Sequence, residues 1–95
     1  MLEITPDDAF ELSPNILIQK IEELEKYWVF NIETGEHYSL NETSFWILEK
    51  LASQLTAGRA LTRFLSDFAI DEETGRTDFV RTIDRFLEEG ILRRR

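Results

Sequence analysis

The sequence predicts an α+β domain in which three helices follow, and cover one face of, a short three-stranded antiparallel sheet. Three observations support that class. Apolar and β-branched residues cluster between Ile16 and Ile32, a Thr34-Gly35 turn leads into a second short run at His37, Tyr38, Ser39 and Leu40, and from Glu42 onward apolar residues recur every three or four positions. Strand signals come first and helix signals after them.

Ninety-five residues suit a single domain with a modest core, and 42% hydrophobic and 12% aromatic content supply one. There is no cysteine, which excludes a disulfide framework, a thiolate metal site and a cysteine nucleophile. No apolar run approaches the ~20 residues that span a bilayer, and the first residues lack the basic-then-apolar order of a secretory signal. A cytoplasmic protein without a membrane partner is the expectation. The formal net charge of -8 repels phosphate backbones, so nucleic-acid binding would need a local basic patch.

Residues 1–14 mix acidic and polar side chains with two prolines and no clear period, as in an extended arm. Residues 15–92 form the expected single domain, and 93–95 a basic tail. The stretch 16–24 fits a strand, but Ile18, Ile21 and Leu24 also fit a helical stripe, and the residues alone leave both open. Residues 27–32 are almost all aromatic or β-branched and end at a turn, which makes them the expected central strand, partly buried on both faces. Pairing through a two-residue Thr34-Gly35 loop would set Val29 opposite Leu40 and Asn31 opposite Tyr38 on one face, with Trp28, Phe30 and Ile32 on the other. The far edge of His37 to Leu40 would then be free.

Asn41 is a strong N-cap for a helix from about Glu42, where Phe45, Leu48, Leu51, Ala52 and Leu55 share one side and Trp46 lies beside them. Thr56-Ala57-Gly58 breaks this helix and starts a second one marked by Leu61, Phe64, Leu65 and Phe68. Asp71 to Arg76 reads as a polar connection. Thr77-Asp78 is expected to cap a third helix carrying Phe79, Val80, Ile83, Phe86 and Leu87, with Gly90 as its C′ residue.

An enzyme reading finds little support, because the single histidine, His37, has no acid, nucleophile or metal ligand at a useful local spacing. The acids Asp71, Glu72, Glu73 and Asp78 lack the ligand spacing of a calcium loop, and no glycine-rich phosphate loop is present. No catalytic residue, metal or cofactor is implied. On the third helix, Val80, Ile83 and Leu87 are expected to face the core and Phe79 and Phe86 a flank. Those two rings either join the core or line a groove for a partner. Arg76, Arg81 and Arg85 give the same helix a basic side that either pairs with nearby acids or complements an acidic partner.

The run from Val29 to Leu92 resembles the PqqD-like proteins, the precursor-peptide recognition elements of pathways for ribosomally made, post-translationally modified peptides. The resemblance rests on the Glu33-Thr34-Gly35 turn, the element Tyr38-Ser39-Leu40-Asn41-Glu42-Thr43, Trp46-Ile47-Leu48, and the closing Phe86-Leu87-Glu88-Glu89-Gly90-Ile91-Leu92. It implies a winged helix-turn-helix-like fold and assigns 16–24 to a strand. It also implies that the leader of a precursor adds as a strand beside Glu36 to Leu40 and lies against the helix from Thr77 to Glu89. The implied peptide-binding residues are Glu36, His37, Tyr38, Ser39, Leu40, Phe79, Thr82, Ile83, Arg85 and Phe86. The implied partners are the precursor leader and a peptide-modifying enzyme such as a radical SAM maturase, with the chain a monomer or weak dimer. The link 53–58 between the first two helices and the acidic 71–74 segment depart from the family pattern. Two other functions fit parts of the sequence: a winged-helix DNA-binding regulator using the three arginines, and a dimerisation module using the free strand edge.

Overall fold

A computed structural model describes residues 4–95; Met1, Leu2 and Glu3 of the expected arm lie outside the described residues. The elements run β1 (Phe10–Leu12), β2 (Ile16–Ile21), a 3-10 turn (Glu22–Leu24), β3 (Lys26–Asn31), β4 (His37–Leu40), α1 (Glu42–Ala52), α2 (Ala57–Asp67), α3 (Glu72–Glu88) and β5 (Leu92–Arg94). The three-stranded antiparallel sheet has the order β2-β3-β4, and the three helices follow it. The α+β class expected from the sequence is the one observed. A second, two-stranded sheet of β1 and β5 was not expected.

Alternation along the three-stranded sheet divides its side chains between two faces. Val29 and Leu40 turn inward and are buried, as is Ile16, and Tyr27 stacks on Phe45 of α1 with ring centroids 5.0 Å apart. Trp28, Phe30, His37 and Ser39 turn to the other side. This sorting matches the expectation, but the register does not. Val29 pairs with Tyr38, and Leu40 with Tyr27, two positions from the expected alignment. A shift of two preserves the faces, whereas a shift of one would have exchanged them.

The cause is a longer turn than Thr34-Gly35 alone suggested. Residues 32–36 form the loop, and the Asn31 side chain organises it. Its Oδ1 accepts hydrogen bonds from the backbone N–H groups of Glu33 (3.0 Å) and Thr34 (3.1 Å) and from Asn15 Nδ2 (3.0 Å). Gly35 N–H donates to the Asn31 carbonyl at 2.8 Å, and Gly35 takes φ 81°, a conformation available to glycine at little steric cost.

The helices begin where local chemistry satisfies their free N–H groups. Asn41 Oδ1 accepts from Ser44 N–H (2.8 Å) and Thr56 Oγ1 from Arg59 N–H (3.4 Å). The third start lies earlier than expected. Asp71, not Thr77-Asp78, is the cap, accepting from Thr74 N–H at 3.3 Å, so the segment expected as a polar connection forms the first turns of α3. Glu72 and Glu73 there sit where the helix dipole favours negative charge. Gly75 permits close helix packing: a Cβ at that position would lie 2.3 Å from Leu65 Cδ2 and 3.1 Å from Ile70 Cγ2. At the other end, Ile91 N–H donates to Phe86 O (2.9 Å) and Gly90 N–H to Leu87 O (3.2 Å), with Gly90 at φ 74°, a Schellman closure with glycine at C′.

The segments set apart as arm and tail are joined to the fold. Phe10 is fully buried, β1 pairs with β5, and the boundaries expected at residues 14 and 92 therefore separate the partners of one sheet. The carbonyls of Pro6 and Asp8 accept from Gly58 N–H (2.9 Å) and Ala57 N–H (2.8 Å), closing the start of α2. Asp8 also accepts from Arg94, and Glu11 from Arg93. The Thr5 backbone N–H, then the Arg94 guanidinium, hold the Asp8 carboxyl below its ordinary range.

Asn31→Ala should remove the side-chain acceptor from the turn and lower stability by about 1–2 kcal/mol, checked by urea denaturation. Broadened amide signals confined to 31–40 should accompany it.

Candidate functional site

The β3–β4 ladder determines which backbone groups are available at the free edge of β4. Asn31 N–H donates to Glu36 O at 2.8 Å, which makes 31 and 36 a hydrogen-bonded pair. Pairs alternate along an antiparallel ladder, so Val29–Tyr38 and Tyr27–Leu40 exchange backbone bonds, while Phe30–His37 and Trp28–Ser39 do not. The N–H and C=O groups of His37 and Ser39 therefore point away from β3. Among the described residues no strand pairs with that side of β4. The N-terminal strand, a natural candidate to fill it, pairs with β5 instead.

Tyr38 stands on the inner face next to this edge. It is half-buried and packs against the core. The negative charge of Glu36, then partial burial, then the charge of Glu89 raise its phenol above the ordinary value of 10.0. Glu89 follows the last turn of α3, so Tyr38 links the strand edge to that end of the helix. Arg85 Nε donates to Glu89 Oε1 at 3.0 Å. Thr82, Arg85 and Glu89 lie at helical spacing on one side of α3. Thr82 Oγ1 donates to the Asp78 carbonyl at 2.8 Å.

The apolar arc of α3 is rotated relative to the expectation. Phe79 and Phe86 are 1% exposed and Ile83 is fully buried, whereas Val80 and Leu87, expected inside, are half-buried at the flanks. The earlier cap at Asp71 fits this rotation, because Gly75, Phe79, Ile83 and Phe86 then form one continuous buried stripe. Phe79 stacks on Phe64 of α2 at 5.8 Å. These rings, like Ile83, thus belong to the core. Of the ten residues expected to bind, Glu36, His37, Tyr38, Ser39, Thr82 and Arg85 retain accessible surface, and Leu40 is buried with the core.

The basic side of α3 is largely neutralised. Arg76 pairs with Glu72 and Arg85 with Glu89, each at 3.0 Å. That pairing weakens the case for a DNA-contacting helix. No cluster of metal-ligating side chains occurs among the described residues, and no helix there is long and apolar enough to cross a membrane.

The family model for coenzyme PQQ synthesis protein D (PqqD) matches residues 26–92, well over half of the chain. The chain belongs to the PqqD family. The matched span starts with β3 and ends in β5, so it contains the free edge, all three helices and the Schellman closure. Solved structures of similar fold are "Lasso peptide synthetase B1 complexed with the leader peptide", with TM-score 0.78, 18% identity, and coverage of 90% of this chain and 98% of that one, and "TbiB1 in Complex with the TbiA(beta) Leader Peptide", with TM-score 0.77, 13% identity, and coverage of 86% and 93%. At these identities the likeness establishes the fold alone; β1 and β2 precede the span that the family model matches. No curated protein matches the chain.

The link between α1 and α2 of this PqqD-family chain contains Gln54 at φ 74°. A non-glycine residue there holds a left-handed conformation more commonly given to glycine.

Sequence reasoning missed Glu89 as a neighbour of Tyr38. The expected strand addition relied on backbone groups along residues 36–40 without saying which of them face the free edge; the ladder gives that edge to His37 and Ser39. The period-two alternation contained the second signal, once a single hydrogen bond fixed its phase.

Two measurements test this site. Phe86→Ala should create a core cavity and lower stability by about 3–5 kcal/mol in denaturant unfolding. The Tyr38 phenol should ionise above 10.0, and Glu36→Gln should bring its midpoint down in an ultraviolet pH titration. The neutral phenol is favoured in the fold, so its contribution to stability is complete below the ordinary value and is lost as pH rises through the elevated one.

Proposed function

We propose that this PqqD-family protein is a non-catalytic peptide-binding module. It takes the leader of a ribosomally made precursor as an added strand on β4 and presents the attached segment to a peptide-modifying enzyme such as a radical SAM maturase. The observation that carries the reading is the free edge of β4, where the N–H and C=O groups of His37 and Ser39 lack a strand partner among the described residues. An extended peptide satisfies such groups with main-chain bonds, and side-chain pockets beside the edge then provide selectivity. Tyr38, Thr82 and Arg85 border the inner side of that strand, Glu36 stands at its start, and Phe79, Ile83 and Phe86 keep α3 in position behind it. Both solved structures of similar fold are, by their descriptions, complexes with leader peptides, which supports leader binding here.

Holding the leader raises the effective concentration of the attached segment at the enzyme, so the module accelerates modification without taking part in bond chemistry. It does so as a cytoplasmic monomer or weak dimer.

The test is a titration of isotope-labelled protein with the synthetic leader of the precursor encoded beside its own gene. Amide shifts should concentrate at His37–Leu40 and on α3. Ser39→Pro removes an edge-facing donor while leaving the bonds to β3 intact, and should weaken binding roughly tenfold or more. His37→Ala keeps both backbone groups and should change affinity by only about threefold. Unchanged shifts along β4 in wild-type protein would refute strand addition.

A further inference from the structure

The face of the sheet opposite the core has no role in the reading so far, yet it is apolar and runs to the same edge. Register places Leu17, Phe30 and His37 in one row across β2, β3 and β4, with Gln19, Trp28 and Ser39 in the next. His37 sits 6.0 Å from the Phe30 ring and 5.8 Å from the Trp28 ring, and those two rings are 6.3 Å apart. Leu17 is 57% exposed and Ile32, just beyond β3 on the same face, 64%. Trp28 and Phe30 are half-buried and lie outside the packed core. The cluster therefore covers no interior, and it stops at the open side of β4.

Backbone phase connects this surface to the proposed ligand. His37 directs its N–H and C=O to the free edge, so a strand residue facing it is held by main-chain bonds. That residue's side chain then projects to the same face as His37, with Cβ atoms roughly 4.5–5.5 Å apart. Its position is the fourth place in the row Leu17–Phe30–His37. The neighbouring peptide residues turn inward, toward Tyr38 and α3.

Resting on the proposed strand addition, we propose that the outer sheet face is a second specificity surface for the same peptide. It selects leaders that place an aromatic or branched aliphatic side chain opposite His37, whose ring continues the cluster of Phe30 and Trp28. The occupant is fixed by the ladder itself: a side chain of the added strand is held beside the cluster by the bonds that hold its backbone. Main-chain bonds accept nearly any sequence, so this row distinguishes peptides that the edge alone would not.

The experiment pans the full-length protein against an mRNA-displayed library of random twelve-residue peptides. Binders that shift the His37 and Ser39 amides are synthesised and scanned with alanine. The expected result is one outward position, flanked by inward ones, enriched in aromatic or branched aliphatic residues. Its alanine variant should bind roughly three- to tenfold more weakly and lose its cross-strand Overhauser contacts to the His37 ring. The scan changes only the peptide, so no result depends on a protein variant folding; Trp28→Thr, checked for folding, should abolish the preference at that position.

If edge-binding peptides tolerate alanine or aspartate there without loss, the outer-face proposal is overturned while strand addition stands. If no selected peptide shifts the edge amides, strand addition fails and the proposal with it. A concentration-dependent mass without peptide that Trp28→Thr abolishes would instead assign the face to a second copy of the chain and overturn the proposal.

Discussion

The register of the β3–β4 hairpin is the constraint on which the site depends, and the Asn31 side chain holds it. Oδ1 of Asn31 gathers the N–H groups of Glu33 and Thr34 and the amide of Asn15, so the loop cannot lengthen or shorten without leaving donors unmet. With that turn fixed, Tyr38 and Leu40 bond to β3 while His37 and Ser39 turn their backbone groups outward. Moving the pairing by one residue would reverse both assignments. The core would then receive His37 and Ser39, and Tyr38 would lose its place beside Glu36 and Glu89.

The termini explain how the fold keeps that edge open. Phe10 enters the core and β1 pairs with β5, with Glu11 against Arg93 and Asp8 against Arg94. Acidic residues near the start and basic ones at the end thus meet across the second sheet. The same contact gives the N-terminal segment a strand partner away from β4. Exposed pairs of this kind add little stability one by one, so the buried ring of Phe10 anchors the segment and the charges align it.

Much of this architecture was legible in the sequence because it follows from local chemistry. The Asn41 and Thr56 caps, the Gly90 closure and the central strand each depend on residues within a few positions of one another. The misses arise where distant parts decide. Asp71 begins α3 with a side-chain cap and two acids in its first turn, but Gly75 in the next turn reads as a break until its packing against Leu65 and Ile70 is known. The buried stripe runs through Gly75, Phe79, Ile83 and Phe86, with Val80 and Leu87 on its flanks. Strand β1 is three residues long and has its partner at the opposite end of the chain, beyond the reach of any periodicity argument. At the site, the free edge was legible from the order of strands, but its phase required one hydrogen bond between Asn31 and Glu36.

An open strand edge is a hazard as well as a binding device, and the length of β4 reconciles the two. It has four residues, of which His37 and Ser39 alone present free backbone groups. Such a short edge is a poor template for uncontrolled pairing, and Glu36 places a charge at its start. The same brevity limits what main-chain bonds can contribute to affinity or selectivity. On the proposed strand addition, discrimination among peptides would fall to the side chains on either side of the added strand. Tyr38, with Thr82 and Arg85 of α3, is available on one side, and His37 with Phe30 and Trp28 on the other. A strand added there as proposed would lie between the partly buried Tyr38 side and the His37, Phe30 and Trp28 side, and reading on both faces would make a four-residue edge selective.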